Sequence, residues 1–176
     1  MMDCKRALQE TDGDLEAAID LLRASGAAKA AKRSEKAANE GTIGHYIHFG
    51  GKVGVMIELN CETDFVAKTE DFLGLAKDLS MHIAAANPVA VSPEDIPAEV
   101  VEREKGVFLE QIKNEGKPEH IAEKIVEGKL RKFFEESSLL KQAFVKDPDK
   151  SVEELITEVS AKTGEKIGVA RFARFQ

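Results

Sequence analysis

The chain has 176 residues, of which 43% are hydrophobic and 32% charged, with a formal net charge of −7. That length allows one domain of ordinary size plus a small appendage, and the composition is that of a folded globular protein. The acidic balance argues against a broad phosphate-binding face, and there is neither an 18-residue apolar run to span a membrane nor an apolar segment near the start that reads as a secretory signal.

The first segment runs from Met1 to about Ala24. A short helix is expected up to Gln9, then a turn at Asp12-Gly13-Asp14 with capping residues. Leu15, Ala18, Ile19 and Leu22 follow at helical spacing, and Gly26 reads as the stop. Two such helices can hardly bury a core alone. Residues 27 to 40 set Lys29, Lys32, Arg33 and Lys36 among alanines. Helix propensity there is high and the apolar face weak, so a helical linker is expected, ended by Gly41.

Two strand patterns come next. Ile43, His45, Ile47 and Phe49 alternate with Thr42, Gly44, Tyr46 and His48; after Gly50-Gly51, Val53, Val55, Ile57 and Leu59 alternate with Gly54, Met56, Glu58 and Asn60. The glycine pair signals an antiparallel hairpin, and the β-branched set of each strand is expected to face the core. One helix is expected from Thr63 to Ala86, its apolar stripe formed by Phe65, Phe72, Leu75, Ala76, Leu79 and Ile83 and its end set by Asn87-Pro88. Two more amphipathic helices are expected over residues 98–114 and 119–137, separated by Gly116-Lys117-Pro118. Residues 138–150 read as irregular. Ser151 and Glu154 form a capping box for a helix that ends at Gly164. Ile167, Val169, Arg171, Ala173 and Phe175 alternate in a last strand. The expected fold is α+β: a small antiparallel sheet of about three strands with helices packed against it.

Little here points to catalysis. Cys4 and Cys61 make no disulfide framework and no paired metal spacing, and read as reduced thiols. Cys61 with His45 or His48 is a conceivable nucleophile pair, but a small buried residue at a strand end is the simpler reading. His45 and His48 are three apart on a strand and point to opposite faces, so they do not chelate. Gly50-Gly51 lacks the helix and lysine of a phosphate loop. The absence of Trp and the single Tyr disfavour a base-stacking surface.

The most informative stretch is Asn60-Cys61-Glu62-Thr63-Asp64-Phe65-Val66-Ala67, where the strand pattern closes and the helical one opens. Thr63 is a good N-cap and Asp64 suits the first turn. On the residues alone Phe65 reads as the first member of the core stripe. The same corner can also present an apolar wedge beside a negative charge.

Three blocks carry a family resemblance. They are Met1-Met2-Asp3-Cys4-Lys5-Arg6-Ala7-Leu8 with Gly13-Asp14 and Leu21-Leu22-Arg23…Gly26; Glu58-Leu59 with the eight residues above; and Gly164-Glu165-Lys166-Ile167 with Arg171-Phe172. In these the chain resembles elongation factor Ts of bacteria and organelles, the guanine nucleotide exchange factor of elongation factor Tu. The resemblance implies a ubiquitin-associated-like (UBA-like) helical module over 1–26, a helical linker over 27–41, and a core over 42–176 that binds Tu and dimerises. Family members begin with a further helix and a Gly-rich turn, so the N-terminal module is expected to be partial. Short members are expected to form homodimers. The implied action is insertion of Asp64 and Phe65, flanked by Thr63 and Val66, near the Mg²⁺ and phosphate groups of Tu. Met1, Met2 and Lys5 are implied to grip a helix of the same Tu domain. Binding to GDP-bound and nucleotide-free Tu, no catalytic residue, no cofactor, no metal, no direct contact with nucleic acid or membrane, and a cytoplasmic or organellar location all follow as expectations. The competing readings are a UBA-like binding module with a different partner and a Cys61 hydrolase.

Overall fold

Alternation with period two builds the centre of the molecule. In the computed structural model, which describes residues 2–33, 36–115 and 119–176, three antiparallel strands pair in the order β1-β2-β5: β1 (Glu40–Ile47), β2 (Gly54–Cys61) and β5 (Ile167–Phe175). The β1–β2 hairpin turns where the glycine pair predicted, with Gly50 and Gly51 at φ 89° and 70°. Helices α4 (Glu70–Ala86) and α7 (Val152–Thr163) supply the layer beneath. Val55, Ile57, Leu59 and Cys61 of β2 meet Phe72, Leu75, Ala76, Leu79 and Ile83 of α4 in the core, with Leu139, Phe144, Val152, Ile156 and Ile167 closing it. The α+β architecture is therefore as expected.

The β-branched set of β2 faces this core, but that of β1 does not. Gly44 is the buried residue of β1, while Ile43 and Ile47 are exposed. The cause is close approach of α4: a Cβ on Gly44 would lie 3.0 Å from both Cβ and the carbonyl oxygen of Ala76. Only glycine admits the helix at that distance, so the larger side chains of β1 point the other way. Gly41 does not end the linker; it lies within β1 opposite Asn60, where a Cβ would collide with the Leu59 carbonyl oxygen. The alternation of β5 also breaks. The pairing shifts between Glu58 and Leu59, which face Arg171 and Val169. One extra residue in β5, Ala170, moves the side chains after it to the opposite face. Ile167 and Val169 then point in, Phe172 replaces Arg171 and Ala173 on the core side, and Phe175 is left exposed.

Helix boundaries differ in two places. The single helix expected over 63–86 is a one-turn α3 (Asp64–Ala67) followed by α4. Thr69 makes the break: its hydroxyl donates to the Val66 carbonyl at 2.8 Å and accepts the Phe72 amide at 3.3 Å, ending one helix and capping the next. At the N-terminal side, α1 (Met2–Glu10) turns at Asp12 and Gly13 into α2, capped as predicted by Asp14, whose Oδ1 accepts the Ala17 amide at 3.0 Å. However, α2 (Leu15–Arg33) runs through Gly26 instead of stopping. A Cβ there would touch Ala161 Cβ of α7 at 3.4 Å, so Gly26 marks helix-to-helix contact rather than a C-cap. Of the expected linker, residues 27–33 belong to α2; residues 34–35 lie outside the described residues, and 37–39 have no regular structure.

Helices α5 (Ala98–Asn114) and α6 (Glu119–Ser137) pair as a hairpin around Ile112 and Val126, with Lys129 Nζ 5.5 Å from the centre of the Phe108 ring. The separator Gly116-Lys117-Pro118 lies outside the described residues. The stretch 138–150 is not irregular throughout: it holds a small hairpin, β3 (Ala143–Phe144) with β4 (Asp147–Ser151). Two residues are too few for alternation to show, which is why the sequence pattern misses β3. The capping box of α7 forms as predicted, with Ser151 N–H donating to Glu154 Oε2 at 2.7 Å and Glu154 N–H to Ser151 Oγ at 3.2 Å.

The small hairpin is held by His82 of α4, which is 1% exposed. Val145 N–H donates to its Nδ1 at 3.2 Å. The ring proton therefore sits on Nε2 and goes to Gln142 Oε1 at 2.9 Å, and Gln142 Nε2 donates to the Glu136 carbonyl at 2.6 Å. Burial pushes the His82 imidazolium to a pKa below the usual histidine value, against a smaller opposing effect of Gln142. The unfolded chain therefore takes up a proton below about pH 6.5 that the folded chain refuses. The stability contributed by neutral, buried His82 is complete above that pH and falls as the pH drops through it. Denaturant midpoints at pH 7.5 and 5.0 are expected to differ, and the difference should shrink in His82→Gln; an unchanged pH slope in the variant would remove His82 as the cause.

Candidate functional site at the β2–α3 corner

The end of β2 delivers four of the expected site residues to one corner: Thr63, Asp64, Phe65 and Val66. Thr63 is extended (φ −130°, ψ 154°) and caps α3, although its oxygen lies a long 3.5 Å from the Val66 amide. Its hydroxyl donates to Glu165 Oε1 at 2.7 Å. Asp64 is exposed and pairs with Lys68 Nζ at 2.7 Å, one helical turn on. The hydrogen bond and charge of Lys68 hold the Asp64 carboxyl below its usual range, so it is anionic at neutral pH. Val66 packs on the core from its half-buried position, and Ala67 is buried. Phe65 does neither: it is 79% exposed, whereas Phe72 at the start of α4 is 0% exposed. The break at Lys68-Thr69 is what takes Phe65 off the stripe. The corner thus presents a large aromatic ring beside a carboxylate, on a turn tied to both β2 and α4.

The remaining expected contacts lie elsewhere. Met2 and Lys5 are exposed on α1, which packs on α2. Met1 lies outside the described residues. The side chains the sequence reading passed over are Lys68 and Glu165. The i,i+4 spacing of Asp64 and Lys68 was a usable signal. Glu165 is about a hundred residues away and had none beyond its place in a family block.

Geometry removes the Cys–His pair. Cys61 closes β2 opposite Glu40, while His45 sits opposite Met56 on the other face of the sheet. His48 is bonded to the Tyr46 hydroxyl at 3.0 Å. Burial, then the Glu165 carboxylate, pushes the Cys61 thiol pKa up, so the residue stays a thiol, donating to the Thr63 carbonyl at 3.1 Å. Among the described residues no group of three His, Cys, Asp or Glu side chains is placed to hold a metal, and no helix is long and apolar enough to cross a membrane.

A family model described as elongation factor TS matches residues 26–176. The chain belongs to the elongation factor Ts family. Elongation factor Ts of Syntrophobacter fumaroxidans is 59% identical over 176 residues, which is the whole of this chain and 88% of that protein. That of Desulfotalea psychrophila is 60% identical over the whole chain and 89% of its own length, and that of Thermosipho melanesiensis 54% identical over 99% of the chain and 89% of its own length. Membership makes this a translation elongation factor.

Proposed function

We propose that the chain is a guanine nucleotide exchange factor for elongation factor Tu and that it acts by inserting the Asp64–Phe65 edge next to the Mg²⁺ and phosphates of bound GDP. The observation that carries this reading is the exposure of Phe65 on a well-tied corner. An aromatic ring held out on a fixed turn, next to a carboxylate, is suited to serve as a buried anchor at an interface, where such rings carry much of the binding energy. Asp64, held anionic, brings negative charge toward groups that neutralise phosphate, and so competes with the nucleotide for them. No catalytic residue is required. A factor that binds open Tu more tightly than GDP-loaded Tu must weaken GDP by the same factor by which GDP weakens it. Met2 and Lys5, exposed on α1, supply the second contact to the same partner. We take the helical pair as a UBA-like module and the chain as acting in the cytoplasm or in an organelle of bacterial origin. The test is stopped-flow release of labelled GDP from Tu: this protein should accelerate it, and a rate equal to the spontaneous one would sink the proposal and favour a binding module with another partner.

We further propose that two copies associate through the outer face of the sheet. Ile43, Ile47, Met56 and Phe175, between 52% and 66% exposed, lie together there and line one shallow cavity with His45. A contiguous apolar face of this kind is costly on a monomer, and a two-fold contact covers it on both copies at once. Sedimentation equilibrium is expected to show a dimer for the parent chain and a monomer for Ile47→Asp. An unchanged mass for the variant would locate any dimer contact elsewhere.

A further inference from the structure

The end of β2 and the start of β5 exchange carboxylates. Glu165 Oε2 accepts the backbone N–H of Glu62 at 3.1 Å and of Thr63 at 3.0 Å, while its Oε1 accepts the Thr63 hydroxyl. In return Glu62 Oε1 accepts Lys166 N–H at 2.7 Å. Glu62 Oε2 pairs with Lys36 Nζ at 2.7 Å, and Lys166 Nζ donates to the Lys36 carbonyl at 2.9 Å. The segment leading from the N-terminal helices is thereby fastened to the same point.

This is more restraint than the pairing of β2 with β5 requires, and it falls on the residue that sets the direction of α3. The Thr63 cap is long, α3 has a single turn, and Phe65 is 79% exposed, so little covers its ring. The orientation of the presented edge therefore depends on the Thr63 backbone at its N-terminal side, as it does on buried Ala67 and half-buried Val66 beneath it. Hydrogen bonds to a charged acceptor are stronger than neutral ones, and Glu165 makes three of them to two consecutive residues, the two to backbone N–H at 3.0–3.1 Å and the one from the Thr63 hydroxyl at 2.7 Å.

We propose that Glu165 is a positioning residue for nucleotide exchange: acting through Thr63, it holds the Asp64–Phe65 edge in the direction in which it enters the partner. This rests on the exchange reading above. A group that must enter a fixed site loses effect steeply when it is displaced by an ångström. A residue that only stabilises the fold would lower activity whether or not Phe65 is present. One that aims Phe65 should matter only when Phe65 is there.

The experiment is a double-mutant cycle on GDP release from Tu at saturating factor. Glu165→Ala is expected to slow release about 10-fold in the parent chain and less than about 2-fold in the Phe65→Ala background. Glu165→Gln, which keeps an oxygen for the two backbone N–H groups, should recover most of the loss. If Glu165→Ala does not fold, the cycle is read with Glu165→Asp, whose shorter arm withdraws the charge from Thr63, and the same dependence on Phe65 is expected. Equal slowing in both backgrounds, or no slowing in the parent chain, overturns the positioning role. Those results leave the exchange reading standing if the parent chain accelerates release and Phe65→Ala impairs it. A parent chain that does not accelerate release overturns the exchange reading itself.

Discussion

Phe65→Ala is expected to slow factor-stimulated release of GDP from Tu about 30-fold or more, while the variant melts within a few degrees of the parent. The size follows from removing a central aromatic contact, which costs about 2 kcal/mol or more at an interface, with each 1.4 kcal/mol worth tenfold. The intact fold follows from the 79% exposure of Phe65: its ring gives almost nothing to the core, and surface substitutions away from caps and buried networks change stability by about 0.5 kcal/mol or less. The cap of α3 belongs to Thr63, not to Phe65. Both outcomes are needed. A parent-like release rate would show that the ring does not enter the partner. A large loss of stability would show that the ring is part of the core.

Phe72→Ala is the opposite case. Phe72 is seven residues further on, in the first turn of α4, and has no exposure; it belongs to the core cluster that α4 forms with the β2 residues Val55, Ile57, Leu59 and Cys61. Truncating such a ring removes its transfer free energy and leaves a cavity the surrounding helix and strands cannot close. The expected cost is about 3–5 kcal/mol, a large part of the stability of an ordinary domain. For a chain of this size it should lower Tm by roughly 6–20 °C. Calorimetry on the two phenylalanine variants separates the roles: one should lose exchange and keep its Tm, the other should lose Tm first. A Tm for Phe72→Ala equal to the parent's would mean that α4 does not pack as described.

These two residues show how far the chain could be read unaided. Both fall on one face if residues 63–86 are wound as a single helix, and periodicity gives no reason to part them. The separation is made by Thr69, whose hydroxyl serves the carbonyl of one helix and the amide of the next. Threonine can occupy a helix interior or cap a helix, and its local sequence does not decide which. Asp64 and the N-cap at Thr63 were legible because capping is a local rule; Val66 was named only through the family resemblance. Glu165 was not legible, because its bonds to residues 62 and 63 join segments that only the sheet brings together.

The sheet faces divide the same way. Period-two patterning by itself determined the three strands, the hairpin turn and the core side of β2, because alternation and paired glycines are written in adjacent residues. Ser151 and Glu154, three apart, determined the start of α7 for the same reason. Tertiary structure alone decided which side of β1 is buried, since that depends on how closely α4 approaches Gly44. It also decided that α2 passes through Gly26, since the contact with Ala161 lies far along the chain. The bulge at Ala170, which leaves Phe175 exposed, needed the register against β2. Local spacing sets what an element can be. Which of its faces is left for a partner depends on what the rest of the chain has already covered.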